Sequence, residues 1–84
     1  MEYDEIWGIR LERIHEFFSA QADAVGEGDT GFRIGDVRVG LTRLPDRVIP
    51  GAAMPRTRVE ITGPGEGAEA VHRRFFLRFL SAGG

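Results

Sequence analysis

Phe32-Arg33-Ile34-Gly35-Asp36-Val37-Arg38-Val39 is the stretch that decides the fold. It is nearly symmetric about Gly35-Asp36, and a Gly-X pair between two short alternating runs predicts a two-residue hairpin turn. Pairing Ile34 with Val37 and Phe32 with Val39 gathers four apolar side chains on one face. Arg33 then meets Arg38 on the opposite face. The first strand reads as 32–34 and the second as 37–43, with room for a bulge at Gly40. A third strand over 57–62 alternates cleanly, with Val59 and Ile61 turned inward.

Helices are expected on both sides of this hairpin unit. Between residues 4 and 25, Trp7, Leu11, Ile14, Phe18, Ala22 and Val25 recur at steps of three and four, which is one helical stripe. Asp4 would cap that helix and Glu5 would sit in its first turn. Gly8 weakens it by about 1 kcal/mol relative to alanine. Three glycines between Gly26 and Gly31 end it. After Gly63-Pro64-Gly65, a second helix over 66–81 carries Ala68, Val71, Phe75, Phe76, Phe79 and Leu80. Its acids (Glu66, Glu69) precede its arginines (Arg73, Arg74, Arg78), the order that suits the helix dipole. The predicted fold is a single α+β domain over 1–84: a two-layer αβββα arrangement, a three-stranded antiparallel sheet with two helices on one face.

The connection from Leu44 to Arg56 is long for a hairpin and holds Pro45, Pro50 and Pro55, so it reads as a loop. It nevertheless carries Val48, Ile49 and Met54. An apolar, proline-stiffened loop on so small a domain is the best candidate for a partner-binding element. The uncovered sheet face should show Arg33, Arg38 and Arg58 beside Thr42 and Glu60. Those arginines are a candidate anion or nucleic-acid contact, since phosphate contacts supply most non-specific affinity. No aromatic residue stands on that face to stack a base.

The element order resembles that of the double-stranded RNA-binding domain, over most of the chain and in order alone. That family's lysines at the start of its second helix are replaced here by Glu66 and Glu69. Its histidine motif between the first two strands has no room in the Gly35-Asp36 turn. No functional position is therefore carried over.

Composition closes off many chemistries. The 84 residues are 42% hydrophobic and 29% charged, with a net charge of −2. Cysteine, lysine and asparagine are absent, and all 11 basic residues are arginine. Disulfides, a cysteine nucleophile, a lysine Schiff base and a lysine phosphate loop are excluded. The absence of lysine and asparagine, whose codons are AT-rich, fits a GC-rich bacterial genome. Residues 1–30 hold eight acids and two arginines, a net of −6; residues 31–84 hold nine arginines and five acids, a net of +4. Two halves so charged are expected to lie against each other.

The remaining motifs are thin. Glu12-x-x-His15 and Glu69-x-x-His72 match half of a di-iron carboxylate pattern, which a dimer alone would complete. Ser19 lies one helical turn from His15 without an oxyanion hole to serve it. The terminal Gly83-Gly84 resembles that of ubiquitin-like carriers, whose fold begins differently, and reads as a frayed end. The acidic start and short apolar runs carry neither signal peptide nor membrane span, so a cytoplasmic protein is expected. The sequence favours a non-enzymatic protein–protein interaction or adaptor module, working with a protein partner or with itself and without a cofactor. Nucleic-acid binding through Arg33, Arg38 and Arg58 is the alternative, and metal binding as a dimer comes third.

Overall fold

The computed structural model describes residues 1–80. Seven elements follow one another: β1 (Glu2–Trp7), α1 (Leu11–Ser19), β2 (Ala24–Glu27), β3 (Gly31–Ile34), β4 (Val37–Ile49), β5 (Ala52–Thr62) and α2 (Gly65–Phe79). The strands form one five-stranded antiparallel sheet in the order β1-β5-β4-β3-β2. The class is α+β, but the expected three-stranded αβββα sheet is wrong by two strands, β1 and β2, which overlap the two ends of the helix expected over 4–25.

The hairpin at Gly35 has the predicted register. Ile34 faces Val37, Phe32 faces Val39 and Arg33 faces Arg38. Gly35 takes φ 59°, and among the described residues only glycines have positive φ, as a turn with a left-handed first position requires. β5 then pairs with β4 on one side and with β1 on the other, so the first strand of the chain meets a partner some sixty residues on, Glu2 opposite Thr62.

The expected helix over 4–25 survives only as α1. Gly8 stands between β1 and α1, and α1 is short, with no side-chain cap at its N-terminus. Nine residues do not hold a helix in water; tertiary packing does. Ile14 and Phe18 are fully buried against the sheet. β1 escaped the strand pattern because its alternation is scrambled. The register places Tyr3, Glu5 and Trp7 on the helix side and leaves apolar Ile6 on the other. Asp4 is therefore a strand residue and caps nothing.

Both helices lie on one face. Phe32, Ile34, Val37, Val39, Leu41, Val59 and Ile61 from the strands meet Ile14 and Phe18 of α1 and Ala68, Val71, Phe75 and Phe79 of α2. Phe18 stacks on Phe75 at 5.9 Å, and Phe17 meets Phe79 edge-on at 5.6 Å, which ties helix to helix. Of the expected second stripe, Phe76 and Leu80 lie outside this core and are exposed. Residue 81, the last of the expected second helix, lies outside the described residues, as does Gly83-Gly84.

The segment 44–56 is the other correction. It is not a loop: β4 and β5 run on through it as a hairpin arm, with Arg47 opposite Met54, Val48 opposite Ala53 and Ile49 opposite Ala52. Each proline sits where a two-stranded arm tolerates it. Pro45 and Pro55 flank the register shift between Leu44 and Arg47, where the ladder is already broken. Pro50 and Gly51 form the tip, with Gly51 at φ 81° supplying the left-handed second position. The arm stretches the molecule to 42 × 23 × 20 Å.

Candidate functional site

Among the described residues, two surfaces are left without cover. The first is the arm. Every residue from 45 to 54 is exposed. Val48 keeps 80% of its surface in solvent, Met54 45% and Ile49 37%. Alternation along β5 places Met54 on the same side as Arg56 and Arg58, and the pairing across the arm puts Ile49 there too. Val48, opposite Ala53, faces the helix side. The three expected contact residues thus share one arm, on two sides of it. At its root, the Arg56 side chain donates to the Pro45 carbonyl at 3.0 Å, closing the bulge.

The second surface is the sheet face away from the helices. Its residues fall in rows across the strands. One row runs Glu2, Thr62, Arg38, Arg33, Val25, and the next runs Asp4, Glu60, Gly40, Gly31, Glu27. A third begins Ile6, Arg58, Thr42. Arg33, Arg38 and Arg58 do share this face, but they are not equivalent. Arg58 donates to both oxygens of Asp4, at 2.9 and 2.6 Å, and has Glu60 at 3.7 Å. The hydrogen bonds from Arg58 hold the Asp4 carboxyl below its usual range, and Asp4 in turn raises the guanidinium. Among the described residues, Arg33 and Arg38 meet no carboxylate within salt-bridge distance. The face is acidic over β1 and β5 and basic over β4 and β3.

Of the acids responsible, the sequence reading makes Asp4 the cap of a helix over 4–25 and leaves Glu2 ahead of it. Recognising β1 as a strand would have placed both beside Arg58 and Arg38, and a start with Tyr3 and Trp7 at alternate positions was the available signal.

A third cluster lines the edge where α2 covers β1. The Glu5 Oε1 atom accepts from the Trp7 indole at 3.0 Å and lies 3.0 Å from Nε2 of His72. The His72 ring stacks on Tyr3 at 3.9 Å. This arrangement accounts for an inward-facing glutamate in an apolar layer: its charge is met by two ring nitrogens. It is a clamp for the edge strand.

Ser19 Oγ lies 3.3 Å from His15 Nδ1 on an exposed helix turn, with His15 packed on Phe32. Glu12 is paired with Arg43, and Glu69 with Arg73 at 3.0 Å. Among the described residues no group of three or more histidines and acids is placed to hold a metal. No described helix is long and apolar enough to cross a membrane. In comparisons with known proteins, no family model and no curated protein matches the chain.

Proposed function

We propose that the protein is a non-enzymatic protein–protein interaction module of the bacterial cytoplasm, and that the arm is the part it offers to a partner protein. The observation that carries this reading is the run of ten exposed residues, 45–54, in which Val48, Ile49 and Met54 stay in solvent. Apolar side chains held outside a core gain free energy when a partner covers them. Three prolines and a two-residue tip restrict the arm before binding, which lowers the entropy lost on docking.

Nucleic-acid binding through Arg33, Arg38 and Arg58 is less well supported. Asp4 and Glu60 engage Arg58, and Glu2 stands in the same row as Arg38. A phosphate backbone crossing this face would meet more acids (Glu2, Asp4, Glu27, Glu60) than arginines without a salt bridge (Arg33, Arg38) among the described residues.

Quantitative enrichment with wild-type bait and with a Val48→Asp, Met54→Asp double variant tests the proposal, followed by titration of the enriched protein into isotope-labelled domain. The expected result is chemical-shift change at Val48, Ile49 and Met54, with at least about tenfold weaker binding by the variant. A partner that binds both baits equally and leaves those three amides unmoved overturns it.

A further inference from the structure

We propose that the open sheet face is the seat of a second copy of this chain, packed face to face about a two-fold axis that runs along the strands between β4 and β5. This rests on a different surface from the arm and does not depend on that reading.

The argument begins with charge. In the two rows that cross all five strands, the β1–β5 half carries Glu2, Asp4 and Glu60 and the β4–β3 pair carries Arg38 and Arg33, while β2 at the far edge, outside the overlap, carries Val25 and Glu27. Arg33 and Arg38 stand directly opposite each other, and like charges in that position repel. No acid of the same copy relieves them within the described residues. A two-fold axis between β4 and β5 lays the acidic half of each copy over the basic half of the other. Glu2 then comes over the partner's Arg33, and Glu60 over the partner's Gly40, with Arg38 beside it. The contact is self-complementary, as a two-fold interface must be.

Shape agrees. Gly40 and Gly31 are paired in the middle of the face. A Cβ at Gly40 would touch nothing within 4 Å, and its φ is not in the left-handed region. Among the described residues nothing requires glycine there, and glycine weakens a strand interior. What the missing side chain provides is a bare floor between Arg38 and Thr42, where the partner's Glu60 can descend to the arginine. Two twisted sheets packing at about 30° keep such rows roughly in line over a few strands.

The size of the face sets the expected strength. With the axis between β4 and β5, four strands of each copy overlap and β2 lies outside; at about 4.8 Å per strand and six residues at about 3.4 Å they give a flat footprint near 19 by 20 Å. That is smaller than the roughly 800 Å² per partner of a standard interface, so the dimer is weak and sensitive to salt. The axis leaves both arms pointing the same way, with Val48 of each still open.

Sedimentation equilibrium across a concentration series, at low and high salt, reads the association. Glu60→Arg and Arg38→Glu are each expected to weaken it at least about tenfold, since each sets like charges against each other twice. An equimolar mixture of the two variants restores it, because both contacts are then of opposite sign. Gly40→Val fills the floor and is expected to abolish association while the thermal midpoint of the monomer holds or rises. A chain that stays monomeric up to about 1 mM overturns the proposal. So does a dimer that ignores the charge reversals or keeps its affinity in Gly40→Val. Wild-type monomer that instead binds duplex RNA or heparin overturns it too, and assigns Arg33 and Arg38 to a polyanion.

Discussion

Thr57 is the buried polar residue of this core, with none of its surface in solvent. Its hydroxyl donates to the Ile9 carbonyl at 2.6 Å and so fastens the β1–α1 connection to the middle of β5. Thr57→Val keeps the shape but orphans that carbonyl, and a buried acceptor left unmet costs about 1–3 kcal/mol. Urea unfolding of the variant is expected to show a lower midpoint with an unchanged slope. Asp4 makes a second residue-scale prediction, this time in pH. The hydrogen bonds from Arg58 depress its carboxyl pKa, so its contribution is present above the ordinary value of 3.8 and is lost as pH falls through the folded value. Glu12, lowered by its own backbone amide and then by Arg43, and Asp23, lowered by Arg74, act in the same direction. Thermal midpoints of wild type and Asp4→Asn measured from neutral pH to about pH 2 are expected to converge on acidification. The pair is exposed, so the gap at neutral pH is small. A gap that widens in acid contradicts the assignment.

The elements differ in how openly the sequence declared them, and the reasons are local. The Gly35 hairpin was legible to the register because both runs alternate without exception. α2 was legible to within a few residues because its stripe, its acids and its arginines agree. β1 was hidden by Glu5 facing in and Ile6 facing out, a pattern that long-range partners (His72 from α2, Arg58 from β5) make tolerable. No window of local sequence contains them. The arm was hidden by its prolines, which bar a central strand but not a bulge or a tip. The three arginines were placed on the right face, yet their pairing depended on β1 and was unreadable without it. Gly51 carries the element-scale prediction. Its φ of 81° suits glycine, and Gly51→Ala would cost about 1–2 kcal/mol at the tip. Because every residue of 45–54 is exposed, that loss is expected to appear as faster amide exchange between 47 and 54, with the global unfolding midpoint unchanged.

At the scale of the whole molecule, the uneven charge of the chain becomes a mode of closure. Asp4, Glu5, Glu12 and Asp23 come from the acidic first third, and each meets a base from later in the chain: Arg58, His72, Arg43 and Arg74. These contacts ring the aromatic core from outside and fix where the first third lies, while the apolar layer beneath supplies the stability. Stability should therefore be graded along the 42 Å axis. At one end β5 is bonded on both sides and Val59 and Ile61 are buried in the core. At the edge, β1 is held by one strand and by the Glu5–His72 clamp. At the far end the arm has its own ladder and no cover. Native-state hydrogen exchange is expected to follow that order. Amides of 47–54 should exchange first and without reference to global stability, those of β1 next, and Leu41, Val59 and Ile61 only on complete unfolding. His72→Ala is expected to move β1 alone toward the fast class, because it removes the stacked ring and one of the two groups on Glu5. If β1 and the centre of β5 exchange together in both proteins, the edge strand is part of the core unit, and the clamp has no separate role.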